Sequence, residues 1–192
     1  MIKTKISEIC YIKTGYTLRT SLKNEPNGNV RVIQMRDLIK DHTEISDNPF
    51  LMELKEKNNG FNHILKKGDI LFISKGETNR SIVFDKPYTA IASSAFLVIS
   101  KKENVEYDPY FLSWFINSDF SERFIKSKRT GSTTPLVLLE SFIEMPVILP
   151  SLEKQKKGSF IYELYKQQIE MEKELKKLRS KYMEGVLQNI IS

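Results

Sequence analysis

The sequence predicts an α+β fold, in which a mixed, strand-rich body over residues 1–150 is followed by one long C-terminal coiled-coil helix over residues 151–192. Short apolar runs that alternate with Gly-containing polar turns predict the strands of the body. From Ser159 to Glu184, neither Gly nor Pro interrupts a helical pattern of apolar residues. A helix of this length cannot bury its own apolar stripe, so we expect it to pack on another surface.

The composition is typical of a folded protein with one ordinary domain and an appendage. Of the 192 residues, 40% are hydrophobic and 28% are charged, and the net charge of +6 mildly favours a polyanionic partner. No apolar run could span a membrane, and the N-terminus lacks the core of a signal peptide, so we expect a cytoplasmic protein. One cysteine, Cys10, and two histidines, His42 and His63, are too few for a four-ligand zinc site. We expect both histidines on the solvated surface.

Local patterns predict most elements of the body. Apolar spacing over 4–13 predicts an N-terminal helix, and residues 51–57 are compatible with a short helix. Asp108 and Pro109 open a helix whose apolar face continues to Phe120. A short helical turn is expected within residues 135–141. Strands are expected at residues 30–35, 70–73, 81–84, 88–91, 95–99 and 144–149.

The long helix carries a seam of apolar residues at alternating spacings of three and four, which is typical of a coiled coil. This pattern predicts that the helix pairs with one or two other helices. Packing of the helix on its own body is an alternative that the residues leave open. The seam, which we interpret as a dimerisation surface, consists of Ile161, Leu164, Gln168, Met171, Leu175, Leu178 and Tyr182.

The polar loop 74–80 lies between two predicted strands and carries side chains that can read base edges. In the major groove, Arg and Lys recognise guanine, Asn recognises adenine and Glu recognises cytosine. A solvated hairpin loop would have the same composition, so both interpretations stay open. The candidates for DNA contact in this loop are Lys75, Glu77, Thr78, Asn79 and Arg80.

A second polar segment, residues 126–133, combines three basic side chains with hydroxyls and contains no acid. Such a segment suits phosphate oxygens, which side chains and the backbone amides near Gly131 can bind. A charged helix end favoured by the helix dipole is the alternative. Its candidates are Lys126, Lys128, Arg129, Thr130, Ser132 and Thr133, and further candidates elsewhere are Thr17, Arg19 and Arg36.

A series of landmarks along the chain, in this order and spacing, resembles a target-recognition domain of type I restriction–modification specificity subunits. The resemblance covers essentially the whole chain. Each landmark is weak alone, and their order makes them more specific. The landmarks are Gly15-Tyr16-Thr17, Gly68-Asp69-Ile70-Leu71-Phe72, Ser74-Lys75-Gly76, Tyr107-Asp108-Pro109-Tyr110-Phe111-Leu112, Asn117-Ser118, Thr130-Gly131-Ser132 and Pro150-Ser151-Leu152-Glu153-Lys154-Gln155.

The resemblance implies a non-catalytic DNA reader, with a DNA target-recognition domain over residues 1–150 and a spacer and dimerisation helix over residues 151–192. In that family each recognition domain reads half of a bipartite site in double-stranded DNA, and two antiparallel helices separate two domains. Modification subunits dock on this frame and methylate adenine with S-adenosylmethionine, which this chain itself is not expected to bind. A translocating nuclease subunit can join.

This chain is similar to half of such a subunit, because it has one recognition domain and one helix. A homodimer through residues 159–191 would complete the arrangement and would read a palindromic split site. A fragment, or a partner of a separately encoded half, would have the same sequence features.

Two rival functions stay open from the residues. The first is a methyltransferase or nuclease in its own right, against which the missing cofactor and catalytic motifs argue. The second is a coiled-coil adaptor or assembly protein that does not bind DNA by sequence.

Overall fold

The computed structural model describes residues 2–18, 21–40, 42–54, 60–131 and 134–191. Its strands are β1 (Ile2–Lys5), β2 (Cys10–Thr14), β3 (Val30–Ile33), β4 (Leu38–Ile39), β5 (Glu44–Ile45), β6 (Leu51–Met52), β7 (Ile70–Ile73), β8 (Ser81–Val83), β9 (Ala90–Ala92), β10 (Phe96–Lys101), β11 (Arg129–Thr130), β12 (Leu136–Val137) and β13 (Pro146–Leu149). Its α-helices are α1 (Ile6–Ile9), α2 (Pro109–Ile116), α3 (Asp119–Ser127), α4 (Leu139–Phe142) and α5 (Leu152–Ile191). Single 3-10 turns lie at Met35–Asp37 and Gly60–His63.

A four-stranded antiparallel sheet in the order β2-β10-β7-β8 forms the centre of the body. All four residues of β7 are buried, because apolar layers cover both of its faces. On one face, Ile70 and Phe72 join a cluster with α2, and Phe72 stacks on Phe142 with ring centroids 4.4 Å apart. On the other face, Leu71 and Ile73 pack towards β3 and β9. The apolar run that predicted this strand is therefore a strand buried on both sides.

A second sheet in the order β6-β3-β9 packs beside the first, and its β3 and β9 run parallel. The two sheets meet at one edge of the body, where β2, β3, β7 and β9 all end. There the Tyr16 backbone N–H donates to the Ala92 carbonyl at 2.7 Å, and the Ser93 N–H donates to the Ile33 carbonyl at 2.9 Å. A side chain at Gly15 would collide with the Ser93 and Ala92 carbonyls, so only glycine allows this close approach.

The base of α5 is anchored to the body by a buried amide. Gln155 is 2% exposed. Its Oε1 accepts the backbone N–H of Asp108 at 3.0 Å, and its Nε2 donates to the Pro150 carbonyl at 2.8 Å. The Asp108 carboxylate caps α2 through the Phe111 N–H and also accepts the Ser159 hydroxyl at 2.7 Å. Since every polar atom of the amide is directed, this joint fixes the direction in which the helix leaves the body.

The strand β1 closes the body next to this joint. It pairs antiparallel with β13, from Ile2 opposite Leu149 to Lys5 opposite Pro146. The N-terminus is thereby held against the last strand before α5.

The helix α5 presents two opposite faces. Partly buried positions recur towards the body at Gln155, Gly158, Tyr162, Lys166 and Ile169, whereas residues 170–184 are all exposed. At about 100° per residue, these body-facing positions lie roughly opposite the predicted seam. The first turns therefore pack on the body of their own chain, as one of the two expected alternatives requires. The seam faces away from the body, and its pairing with another helix stays a prediction.

Several expected elements differ in the structure. Residues 4–13 are not one helix but β1, a single turn of helix and β2, because Cys10–Thr14 pairs with β10, a contact that local spacing does not reveal. In the expected helix over 51–57, Leu51–Met52 is a strand and residues 55–59 lie outside the described chain. The helix expected through Phe120 ends at Ile116 and restarts as α3.

Other expectations hold with small shifts of boundary. The strands at 30–35, 70–73, 81–84, 88–91, 95–99 and 144–149 correspond to β3, β7, β8, β9, β10 and β13. The segment 135–141 contains a short strand before the helical turn α4. Within the described residues, no helix is long and apolar enough to cross a membrane.

Candidate nucleic-acid interface

The structure brings the loop 74–80 and the segment that follows α3 into one unit. The Ser74 carbonyl accepts the Val137 N–H at 2.8 Å, and the Gly76 N–H donates to the Pro135 carbonyl at 2.8 Å. These bonds attach the loop to β12, which pairs in turn with β11. Gly76 has φ 101°, a left-handed backbone that glycine adopts without strain and that the loop needs at this point. Two segments that are about fifty residues apart in sequence therefore form a single surface.

Side-chain hydrogen bonds reinforce this attachment. The Arg129 Nε donates to the Asn79 Oδ1 at 2.7 Å, and its Nη2 donates to the Glu77 carbonyl at 2.7 Å. The Asn79 Nδ2 donates to the Ile73 carbonyl at 2.9 Å. Both polar atoms of the Asn79 amide are thus engaged inside the protein, and so are two of the nitrogens of Arg129.

Two other basic side chains of this surface, Lys126 and Arg80, are exposed and lie near one carboxylate, that of Glu122. Lys126 pairs with Glu122 at 2.8 Å, and both side chains are more than half exposed. The pKa of Glu122 is lowered, first by the hydrogen bond and charge of Lys126 and then by the charges of Arg80 and Arg129. Lys128 is exposed and lies over the Phe124 ring at 5.7 Å. Cations of the loop and of α3 therefore converge, as a phosphate-binding surface requires.

Loop 74–80 presents its other candidates outwards. Lys75, Glu77, Thr78 and Arg80 are exposed, and so is Thr130 in β11, whose hydroxyl donates to a backbone carbonyl at 3.2 Å. These exposed side chains lie on the rim of the unit, where solvent reaches them. Glu122 is a member of the surface that the sequence did not single out, because it lies four residues before the basic segment 126–133.

The candidates outside this unit lie near the shared edge of the two sheets. Thr17 is exposed just after β2, and Arg36 is exposed just after β3, with its guanidinium 3.8 Å from the centre of the Phe50 ring. Because β2, β3 and β7 end at this edge, Thr17, Arg36 and the start of the loop at Ser74 share one side of the body. Arg19, Ser132 and Thr133 lie outside the described residues.

The buried titratable groups do not form a reactive cluster within the part of the chain that the structure describes. Cys10 is 2% exposed, and burial raises its pKa to about 11, with a weak contact to the Tyr107 hydroxyl at 3.3 Å. Both histidines were expected on the solvated surface, but both are partly buried. His63 stands edge-on to Tyr16 at 5.6 Å, and desolvation, followed by the charge of Lys13, lowers its pKa. These groups belong to the packing of the body and do not meet at a common point.

The seam of α5 is exposed along its length. Ile161, Met171 and Tyr182 are 66%, 64% and 72% exposed, and most of the exposed large apolar side chains of the described chain lie on this helix. An uncovered apolar stripe of this kind is unusual for a monomer, since such patches are typical of interaction sites. An open cleft of about 750 Å³ separates the other side of α5 from β8 and α2, and its lining mixes acids and bases.

Comparison with known proteins identifies the family. Residues 2–178 match the family model described as "Type I restriction modification DNA specificity domain". The chain belongs to this family. No curated protein sequence matches it.

Solved specificity subunits share the fold. The S subunit of the type I restriction–modification system from M. genitalium superposes with a TM-score of 0.60 at 13% identity, over 88% of this chain and 40% of that one. The HsdS subunit from Thermoanaerobacter tengcongensis gives 0.63 at 19% identity, over 94% and 45%. A structure on complex assembly and conformational transition of the type I system gives 0.63 at 14% identity, over 88% and 38%. This chain therefore spans less than half the length of these proteins.

Proposed function

We propose that this chain is a DNA-recognition half-subunit of a type I restriction–modification system, and that it performs no reaction itself. The observation that carries the proposal is the single exposed surface made by loop 74–80 and residues 126–131. Membership of the specificity family supports DNA as the ligand. The convergence of Lys126 and Arg80 on Glu122, with the exposed Lys128 nearby in sequence, supports contact with a polyanion.

Within this surface we assign different roles to bases and phosphates. Arg80, Lys75, Glu77 and Thr78 stand on the outward rim of the loop and would enter a groove to contact base edges. Lys126, Lys128 and Thr130, together with Ser132 and Thr133 from outside the described residues, would hold phosphates. Thr17 and Arg36 would extend the contact along the shared edge of the sheets, and Arg19, which lies outside the described residues, stays a candidate for DNA contact.

Methylation would be the task of partner subunits. Modification subunits carrying S-adenosylmethionine would methylate adenine at the site that this chain selects, and a restriction subunit could join the same complex. One of the structural neighbours concerns assembly of the type I complex, which supports a role of this fold in such an assembly. The frame on which these partners would dock is the pair of α5 helices.

Two copies of the chain would pair through the seam of α5. The seam faces away from the body, so a second helix can cover it without displacing any described contact of the first turns. The exposed apolar side chains on the seam supply the buried area that such a pair needs, and Gly185 and Asn189 interrupt the apolar pattern only near its end.

Charges beside the seam favour an antiparallel pair. If Leu175 packs against Leu178 of the second copy, Glu172 faces Arg179 and Glu174 faces Lys181. By two-fold symmetry each attractive pair occurs twice, which gives four in all. In a parallel pair the only attractive contact of this kind places Glu174 opposite Arg179 of the second copy. All four of these charged residues are exposed in the single chain, so the pairs can form on association.

The DNA-reading role is tested by selecting duplexes from a random library with the purified protein. We expect a split, palindromic sequence to be enriched. Arg80→Ala should then relax preference at a defined base pair, at a cost of ~1–3 kcal/mol. Lys128→Gln should weaken selected and random duplexes equally and lower the salt slope by about one. Enrichment of no sequence, with similar binding to all duplexes, would favour the coiled-coil adaptor.

The helix orientation is tested by reversing single charges. Glu172→Arg places like charges opposite Arg179 in the antiparallel pair, twice per dimer, and should weaken the dimer by about 1–2 kcal/mol, or roughly 5- to 30-fold. In a parallel pair Glu172 has no charged partner across the seam, so the same variant would leave the dimer unaffected. Arg179→Glu in the same chain should restore the affinity of the antiparallel pair.

Catalysis by the chain itself is tested by incubating the purified protein with DNA and a labelled methyl donor. We expect no label in the DNA until modification subunits are added. Label transferred by the chain alone would refute the non-catalytic role.

A further inference from the structure

The basic residues of the candidate interface do not all point the same way. Lys126 and Lys128 are exposed, whereas the side chain of Arg129 is only 23% exposed and turns towards loop 74–80. Its Nε and Nη2 each make a 2.7 Å bond to that loop, and its Nη1 lies 3.9 Å from the Glu77 carboxylate. In sequence, Arg129 is indistinguishable from its neighbours as a phosphate contact. In the structure, its guanidinium is occupied by the protein.

The acceptor of Arg129 is itself fixed from the other side. The Asn79 Nδ2 donates a hydrogen bond to the Ile73 carbonyl, at the end of β7. Arg129, Asn79 and the end of β7 therefore form a continuous hydrogen-bonded bridge across the base of the loop. The bonds of Ser74 and Gly76 to residues 135–137 hold the other limb of the loop. The exposed Thr78 lies between these supports, and Arg80 follows them.

The chemistry of the bridge requires arginine. A guanidinium presents several donors in a rigid plane, so it can bind the Asn79 oxygen and the Glu77 carbonyl at the same time. A lysine ammonium at this position would keep the charge but lose the fixed fork. A bond from a charged donor to a partly buried acceptor is also about twice as strong as a neutral one.

We propose that Arg129 is a positioning residue for base recognition rather than a contact to DNA. It holds loop 74–80 in one conformation against β11, so that the side chains on the rim meet base edges in a fixed geometry. Asn79 shares this role, because both of its polar atoms are already hydrogen-bonded within the protein. This inference rests on the proposed reading of DNA by the loop and concerns how that loop is held.

Two properties separate a positioning residue from a phosphate contact. Loss of a phosphate contact weakens all DNA and lowers the salt slope by about one. Loss of a positioning residue reduces the ratio of affinities for selected and random duplexes and leaves the salt slope unchanged. It also increases the mobility of the loop in the free protein, which a surface cation would not affect.

The experiment compares Arg129→Gln with Lys128→Gln, which removes the same charge one residue away. Binding is measured on a duplex enriched by the wild-type protein and on a random duplex, over a range of salt. For Arg129→Gln we expect the affinity ratio to fall at least about tenfold with an unchanged slope. Amide hydrogens of residues 75–80 should exchange faster in the free variant. Lys128→Gln should show the reverse pattern.

Two further variants keep the test decisive. Arg129→Lys retains the charge but loses the two hydrogen bonds of the guanidinium. It tests those bonds if the glutamine variant does not fold. Asn79→Ala should reproduce the phenotype, and the double variant should be no worse than either single one, because both remove the same bridge. A slope lowered by about one with an unchanged affinity ratio, or unchanged exchange at residues 75–80, would overturn the inference. If the wild type enriches no sequence, the DNA-reading role fails, and hydrogen exchange alone decides whether the bridge holds the loop.

Discussion

Leu175→Glu is the sharpest perturbation of the proposed dimer, because Leu175 lies in the middle of the seam. Its side chain is 47% exposed in the single chain, so association can bury about half of it. Full burial of a leucine side chain contributes ~1.5–3 kcal/mol, so burial of the exposed half of Leu175 contributes about 1 kcal/mol per copy, or about 2 kcal/mol per dimer. Leu175→Ala should therefore weaken the dimer about 30-fold. Glu adds the cost of burying two carboxylates, so no dimer should form at micromolar concentration.

Sedimentation equilibrium measures this change directly. The wild-type protein should sediment with twice the 22.4 kDa mass of the chain, and Leu175→Glu should sediment with the single mass. Ser180→Glu is the matched control, because Ser180 is also exposed but lies on the opposite side of α5. That variant should stay dimeric. A Leu175→Glu protein that keeps the wild-type dissociation constant would refute the seam as the contact, and far-ultraviolet circular dichroism would verify that its helix is intact.

Three further outcomes concern the fold itself. Phe142→Ala removes the fully buried ring stacked on Phe72, and thermal unfolding should show a loss of ~3–5 kcal/mol. Gln155→Leu leaves the Asp108 N–H and a carbonyl without their bonds, so urea titration should show a loss of about 2–4 kcal/mol; a loss below about 0.5 kcal/mol would contradict the role of the joint. Cys10, whose pKa is raised to about 11 by burial, should resist a thiol reagent at about pH 8 until the protein unfolds; rapid labelling of the native chain would contradict its buried position.

Elements with strong local patterns were predictable from the sequence. The run Ile70–Ile73 follows a Gly-Asp turn, and the long helix keeps its apolar periodicity from Ile161 to Tyr182. The N-terminal segment was not predictable in this way, because the strand Cys10–Thr14 exists only through its pairing with β10, which lies some ninety residues later. Contacts of such sequence separation leave no local signature.

The candidate interface shows the same limit at the level of side chains. The sequence indicated that loop 74–80 and residues 126–133 are polar and basic, but it did not indicate that they join. The direction of Arg129 depends on acceptors about fifty residues away, Asn79 and the Glu77 carbonyl. Composition shows which polar groups are present, whereas the fold determines which of them are already hydrogen-bonded within the protein.

The placement of the seam on the side of α5 that faces away from the body has a consequence for how such a protein can change. No residue of the seam belongs to loop 74–80 or to the joint at Gln155. If the proposed roles hold, substitutions that alter the preferred bases can accumulate without disturbing association, and substitutions that change the partner of the helix need not alter the loop. Each half of the chain is exposed to selection independently of the other.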